Sequence, residues 1–512
     1  ALFLLGRIPV PYSGDIVPDG HHADHKGAWP CDGYYADLDG IWTDSLVNNT
    51  SAPGSRNDNK PNDGKFDQNR IPAPVRLQVG RVDFSNMSKF PETEEQLIKR
   101  YLDKDHRWRK GITYAEERAL VDNNFRDIEG LGSVAWMNFT PMFGIARVKD
   151  LPYRQTLSNQ SYMWSYGCGG GGPESASDIS STTNFTTDSL HTFFTMLFGS
   201  YFGDWDYPNN FLRAAIASRT CLASTWGNRP HWFLHHMALG ETLGYATLAT
   251  MNNRGIYTPS FYGAYANIAL MGDPTLSMYN QRPVENLKLS QTGLHIDLTW
   301  QDPSNSTGYY VYKRSHPDSA YRLLTPQALK MRNFTDSCAG EGVHTYCVRS
   351  VELRTSASGT FFNLSSGLSA SINCKTDLFR AAADFNHQVY FDELKLRNQS
   401  VNALQYSWEF GDGSKSNEFE PVHLYPNSGV YEICLFASNG CETDSLCKFV
   451  QVQTSLPQVT ADIEDANCFG TSTGSIRLQL TGGTAQQTIT WLNRTDTGRI
   501  LQNIPAGDYS CI

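Results

Sequence analysis

Close to Arg282 the hydrophobic pattern of the chain changes its period, and no single fold serves both sides of that change. Before it, apolar strand-like runs alternate with helical segments: RLQVGRVDF (76–84) precedes TEEQLIKRYLDKDHRWRK (93–110), and YMWSYG (162–167) precedes SLHTFFTMLFGSYFG (189–203). Such alternation predicts an α/β domain with a mainly parallel sheet. After it, short runs alternate between apolar and polar residues and are broken by Gly, Pro, Asn or Asp roughly every ten residues, the spacing of β-sandwiches. The predicted fold class is therefore multidomain, with an α/β N-terminal domain followed by all-β immunoglobulin-like sandwiches. The length of 512 residues agrees, because one hydrophobic core rarely organises more than about 250–300 residues. The pattern places the domains at 1–281, 283–372, 375–453 and 458–512.

Charge and cysteine content exclude several roles. A net charge of -10 without any Lys/Arg-rich run argues against nucleic acid as a partner, since tracking phosphates requires a basic surface. No run approaches the ~20 apolar residues of a transmembrane helix. The chain begins without Met inside a strand-like run, Leu2 to Val10, and stops inside another, Asp508 to Ile512, so further sequence is expected at both ends. Of eleven cysteines, Cys31, Cys168 and Cys221 lie in the first half and eight fall between Cys338 and Cys511. Cys434, Cys441 and Cys447 sit on neighbouring strand-like runs, where disulfides would staple small sandwiches in an oxidising compartment; buried free thiols are the alternative. Without a CxxC pair, a structural zinc site is not expected.

Two acidic, glycine-punctuated runs stand out, DGYYADLDGIWTD (32–44) and NDNKPNDGKFDQ (57–68). Calcium takes six to eight hard oxygens, and alternating Asp and Asn around a Gly let a short loop wrap one ion. The expected donors are Asp37, Asp39 and Asp44 in the first run and Asp58, Asn62, Asp63 and Asp67 in the second. Loops built on Asx turns are the competing reading. The run DGHHADH, with Asp19, His21, His22, Asp24 and His25, offers a weaker zinc pattern; it follows Pro18 and reads more simply as a surface loop.

The β-modules carry family resemblances. Residues 283–372 resemble a fibronectin type III domain, with Trp300 as core tryptophan and Tyr346 on a late strand. Residues 375–453, containing YSWEFGDGSKSNEFEPVHLYPNSGVYEICLFASNGC, resemble a PKD domain; Trp408 and Phe410 alternate inward and Gly411-Asp412-Gly413-Ser414 supplies the turn. Residues 458–512 are similar to the short surface repeat of bacterial gliding adhesins. In the first domain, GRIPVPYSGD, LQVGRVDF, YGCGGGG, FFTMLFGSYFGDWD and ALMGDPTLSMY (269–279) follow one another in the order of the gingipain family of caspase-like cysteine peptidases.

The gingipain resemblance implies a His at one strand end and a Cys at the next, because an imidazole must activate the thiolate. Placing YGCGGGG on the family's Tyr-x-Gly-His-Gly puts Gly169 at the histidine, with Cys168 beside it; placing GSYFGDWD on Cys-x-x-Gly-Asp puts Ser200 at the nucleophile. Catalysis would need a rebuilt pair, with Cys168 or Ser200 as nucleophile and His231, His235, His236 or His191 as base. The same surroundings suit binding: Gly169, Gly170, Tyr201, Asp204, Trp205, Trp226, Arg229 and Trp232 would gather at the old cleft, with Asp204 and Asp206 holding an ion or accepting hydrogen bonds from Arg213. The expected function is thus a secreted or cell-surface protein with a noncatalytic gingipain-like domain, calcium-stabilised, and adhesive or spacer β-modules that meet an extracellular protein or polysaccharide. An active cysteine peptidase with a rearranged dyad and a carbohydrate-binding surface protein are the alternatives. The resemblances also imply the outer cell surface as destination, by the type IX secretion route.

Overall fold

A computed structural model describes residues 1–19, 25–126, 130–227, 231–257, 263–304, 306–453, 457–468, 470–481, 488–492 and 494–512. They form two compact units, one of Ala1–Lys288, Thr299–Phe334 and Thr345–Ala370, the other of Leu289–Leu298, Thr335–His344 and Ser371–Ile512.

The first unit is built on an eight-stranded sheet. Its strands are β1 (Leu2–Leu5), β2 (Val79–Val82), β3 (Ala119–Asn123), β4 (Val148–Asp150), β5 (Tyr162–Cys168), β6 (Thr192–Phe198), β7 (Ala223–Trp226) and β8 (Leu270–Gly272), in the spatial order β1-β2-β8-β7-β6-β5-β3-β4. The sequence predicts a mainly parallel sheet; the sheet is mixed. Neighbours run parallel except at the seam between β7 and β8, where Ala223 faces Gly272 and Thr225 faces Leu270 in antiparallel register. Every residue of β5 and β6 is buried, as expected of central strands covered on both faces. The C-terminal ends of β5 and β6 lie side by side, with Cys168 opposite Phe198, and such strand ends are where open α/β sheets place their ligands.

Helix α1 (Glu94–Arg109) begins in a capping box, Thr93 bonding the amide of Gln96 while Gln96 bonds back to that of Thr93, and it carries Glu94 and Glu95 in its first turn. Both features satisfy the orphan donors and positive dipole of a helix start. It buries Leu97, Tyr101 and Trp108. Its Arg100 and Lys104, one turn apart, reach the carbonyls of Ala217, Ile216 and Ser218 at 2.6–2.8 Å, thereby capping helix α2 (Phe211–Ala217). The other end of α2 is capped by Asn210, whose Oδ1 accepts from Leu212 N at 2.9 Å and whose Nδ2 holds the carbonyls of Phe202 and Asp204.

The later modules are sheets throughout. In the PKD-like stretch, Gln405–Glu409, Gly429–Ser438 and Thr443–Val452 pair antiparallel, as do Phe385–Tyr390, Glu393–Asn398 and Val422–Leu424. Trp408 and Phe410 are both buried, with Trp408 donating its indole N–H to the Glu418 carbonyl; the turn beyond them uses positive φ at Gly411 and Gly413. Cys434 and Cys447 face each other across two strands and are bonded, and Cys338 is bonded to Cys441. Cys31, Cys168, Cys221, Cys347 and Cys374 are buried thiols, so both readings of the cysteines hold in different places. At the end of the chain, Gln458–Glu464, Gly474–Thr481 and Ile500–Ile504 form a sheet around Ile476, Leu478, Trp491 and Leu501. Among the described residues no helix is long and apolar enough to cross a membrane.

Candidate functional site

The ends of β5 and β6 are locked together by glycines. A Cβ on Gly169 would stand 2.3 Å from the carbonyl oxygen of Ser177, one on Gly171 2.5 Å from the backbone N and O of Ser200, and one on Gly199 2.5 Å from the Gly169 carbonyl. Real Cβ atoms do not approach backbone so closely, so the loop after Cys168 accepts no side chain at 169 in this conformation. The loop folds back on itself, Ser177 N donating to the Gly170 carbonyl at 2.8 Å.

Cys168 is wholly buried, and its Sγ donates to Asn123 Oδ1 at 2.9 Å. Burial pushes its thiol up to about 11, with Tyr166 and the amides of Phe125 and Asn124 opposing and Asp122 reinforcing the rise. A thiol so raised offers negligible thiolate at neutral pH. His235 and His236, 4.2 Å apart between ring centroids, lie in the segment His235–Leu239, and His236 Nε2 pairs with the Tyr257 hydroxyl at 2.8 Å. Burial holds both below the ordinary imidazole value, each disfavouring the charged form. His231 is buried. Arg229 lies outside the described residues, as do His21, His22 and Asp24; Asp19 and His25 of the same run are buried against each other rather than on the surface, Asp19 Oδ2 contacting His25 Nδ1.

Trp205, Trp226 and Trp232, expected at the cleft as aromatic platforms, belong to the core, with 1%, 4% and 0% exposure. Trp226 stacks on Trp29 and Phe198, each 5.8 Å away between centroids, and donates to the Gly199 carbonyl at 3.0 Å. Core packing claims them: the guanidinium of Arg81 lies 4.9 Å over Trp205, and Trp232 donates its indole N–H to the Trp226 carbonyl at 2.9 Å. Arg81 in turn is fully buried and forms a two-pronged ion pair with Asp32, Nε to Oδ2 at 3.0 Å and Nη2 to Oδ1 at 2.8 Å, while donating to the carbonyls of Ile8 and Pro9.

Asp204 and Asp206 do not meet Arg213 as expected. Arg213 turns to the Ser85 and Tyr207 carbonyls, and the partner of the two acids is Arg56, Nε 3.0 Å from Asp204 Oδ2 and Nη2 3.1 Å from Asp206 Oδ2. Asp204 also accepts from the Tyr12 hydroxyl at 2.9 Å and from Asn57 at 3.2 Å. Around them a cavity of about 310 Å³ opens between Trp29, Pro53, Arg56, Tyr201, Asp204 and Tyr207. Tyr201 sits at φ +70°, with the ring of His25 4.2 Å from its own. Tyr12, Trp29, Arg56 and Asn57 were not legible as members of this site, since nothing in their local spacing ties residues 12–57 to residues 201–207; Tyr207 was missed although it follows Asp204 by three positions.

Most of the expected calcium donors accept hydrogen bonds from backbone amides. Asp37 accepts from the amides of Asp39, Gly40 and Ala73, Asp44 from those of Asn62 and Gly64, and Asp63 from those of Lys60 and Lys65. Asp67 takes Thr43 Oγ1 and the amides of Ser45, Leu46 and Val47, which draw its carboxyl below the ordinary range against the raising effect of burial. Asp58 accepts from Ala52 N, and Asp39 pairs with Arg76. Asn62 adopts φ +65° at the turn. Among the described residues these carboxylates form no cluster of three with ligand atoms within 4.8 Å; the two such groups found, His295/Cys338/Cys441 and Glu432/Cys434/Cys447, both contain disulfide sulfurs. The acidic runs carry the hydrogen-bond pattern of Asx turns.

Comparison with known proteins identifies the later modules. Residues 378–454 match the family described as PKD domain and residues 460–496 that described as SprB repeat. Collagenase ColA of Clostridium perfringens is 33% identical over 86 residues, 16% of this chain and 8% of the collagenase. Collagenase ColA of Bacillus cereus is 29% identical over 82 residues, with the same coverage of 16% and 8%. The chain thus spans 8% of the length of either curated relative. Among solved structures, the PKD1 domain of Vibrio cholerae metalloprotease PrtV is similar at 25% identity over 14% of this chain and 95% of that domain, with a TM-score of 0.14. A two-domain fibronectin type III segment of chicken tenascin is similar at 12% identity over 33% of this chain and 99% of that segment, with a TM-score of 0.15. The chain is a multidomain protein with a PKD domain and an SprB repeat in its second half.

Proposed function

We propose that this chain belongs to a secreted or cell-surface protein in which a gingipain-like α/β domain has lost peptidase chemistry and serves, with its β-modules, in adhesion to an extracellular protein or polysaccharide. The observation that carries the reading is the glycine lock at the end of β5. Where the resemblance would place the histidine, Gly169 has Ser177 O within 2.3 Å of any Cβ, and the adjacent Cys168 is buried on Asn123. Nucleophile and base require hydrogen-bond reach of a common substrate atom, and a buried thiol raised to about 11 meets neither the reach nor the ionisation. The PKD and SprB matches support an extracellular setting, as do the two disulfides, which persist in oxidising compartments.

The test is labelling of the native chain with a thiol-directed peptidase probe, followed by peptide mapping, beside hydrolysis of a mixed peptide library. The expected result is no labelling at Cys168 before denaturation and no cleavage. Native-state labelling at Cys168 with concurrent cleavage would restore the peptidase reading.

A further inference from the structure

Each of the two disulfides has an ionisable neighbour, and the two neighbours are of opposite kinds. A ring nitrogen of His295 lies within 4.8 Å of both sulfurs of Cys338–Cys441, and a carboxylate oxygen of Glu432 lies within the same distance of both sulfurs of Cys434–Cys447. The bonds also differ in setting. Cys434 and Cys447 face each other in an antiparallel ladder that runs from Gly429 opposite Val452 to Ser438 opposite Thr443, so these strands stay paired whether or not the sulfurs are joined. Cys338 and Cys441 lie in loop tips, one between the strands Asn333–Asp336 and Gly342–Ser356, the other between Gly429–Ser438 and Thr443–Val452. Their bond bridges a sequence separation of 103 residues, against 13 for the other pair. Cys338 is exposed and Cys441 half-buried. The backbone of Cys338 is left-handed, at φ +57°, a conformation that a residue with a Cβ holds only where its surroundings impose it.

Thiol–disulfide exchange starts when a thiolate attacks one sulfur and expels the other as a thiolate. An imidazole beside the bond stabilises the departing thiolate, whereas a carboxylate repels both the incoming and the departing charge. His295 is held in place for this role, since the Cys338 amide donates to its Nδ1 at 3.3 Å. The acids closest in sequence to the exposed bond are engaged elsewhere: Glu341 Oε2 accepts from Thr376 Oγ1 at 3.2 Å and from Arg380 at 3.5 Å, and Glu442 Oε1 accepts from the Ala381 amide at 3.1 Å. We propose that Cys338–Cys441 is an exchange site for a small thiol, and that Cys434–Cys447 is a permanent staple. The attacking sulfur bonds to Cys338 Sγ while the Cys338–Cys441 bond breaks, and its electron pair leaves on Cys441 Sγ beside His295. A second thiolate then takes the first sulfur and releases Cys338. Two thiols are thereby oxidised to one disulfide, and their protons and electrons reduce Cys338 and Cys441 to thiols. Opening the bond removes the covalent tie between the two loop tips and frees Cys338 to leave its left-handed backbone.

The folded full chain is incubated with glutathione over a range of concentrations without denaturant, quenched with iodoacetamide, and the state of each cysteine is read by peptide mapping. Cys338 and Cys441 are expected to open about tenfold faster than Cys434 and Cys447, with the mixed disulfide trapped on Cys338. His295→Gln is expected to slow opening of Cys338–Cys441 with no change at Cys434–Cys447, and Glu432→Gln to speed opening of Cys434–Cys447 alone. Should His295→Gln melt below the native chain, the ratio of the two rates in the native chain and in Glu432→Gln decides. The proposal is overturned if both bonds open at the same rate, if Cys434–Cys447 opens first, or if the mixed disulfide forms on Cys441. It is equally overturned if a stably folded His295→Gln chain opens as fast as the native one.

Discussion

Replacing Asp32 by Ala tests the idea that a buried ion pair with Arg81 anchors the start of the first acidic run. The Arg81 guanidinium is 0% exposed and Asp32 1%, and two of the guanidinium nitrogens bond the carboxylate at 2.8–3.1 Å. Removing the acid leaves an uncompensated charge with no access to water, a change that costs about 3–5 kcal/mol. For a unit of this size each kcal/mol lowers the melting temperature by about 1–2 °C, so a drop of about 4–7 °C is expected. Urea unfolding followed by tryptophan fluorescence is suited to the measurement, because Trp205 lies directly under Arg81. Arg81→Met combined with Asp32→Leu is expected to recover part of the loss and not all of it, since the carbonyls of Ile8 and Pro9 then lose their donor. A loss below ~1 kcal/mol for Asp32→Ala would refute the argument, because it would mean that water reaches Arg81 or that the pair does not form.

If the acidic loops hold calcium, EDTA lowers the melting temperature of the first unit through mass action; an unchanged melting temperature would remove the calcium reading. Replacing Cys338 and Cys441 by Ser is expected to destabilise the second unit more than replacing Cys434 and Cys447, since the sequence separations are 103 and 13 and chain-entropy arguments give about 4–5 against about 3 kcal/mol; calorimetry of the paired variants checks the order. Asp302 is drawn down to about 2, the amides of Ser304 and Ser306 and the Tyr309 hydroxyl outweighing the raising effect of burial. Its contribution to stability is then present above the unfolded value of 3.8 and lost as pH falls from there toward 2, so Asp302→Asn flattens that limb of the acid unfolding curve; an unchanged limb would contradict the assignment.

What the sequence could reveal was local. The WEFGDGS run announces its own strand and turn, because alternation fixes which face Trp408 and Phe410 take and the glycines fix the turn. The strand-helix alternation around TEEQLIKRYLDKDHRWRK likewise reads directly. The antiparallel seam at β7 and β8 was not legible, since strand direction depends on a connection through residues 227–269 and not on the composition of either strand. The cavity was half legible for a similar reason: Asp204 and Tyr201 follow a strand end and were anticipated, while Arg56 comes from a segment about 150 positions earlier. The three tryptophans could be read as a platform or as core, because aromatic content alone cannot separate a wet ring from a stacked one. The acidic runs were ambiguous in kind, for the same Asp and Asn spacing serves an ion or a turn.

The double anchoring of α2 has a mechanical corollary. A helix of seven residues is too short to persist by itself, so its position is borrowed from α1 at one end and lent, through Asn210, to the Asp204 loop at the other. The acid that faces the cavity is therefore set by a lever whose handle is Lys104. Substitution at Lys104, which does not line the cavity, is therefore expected to shift the Asp204 loop through α2.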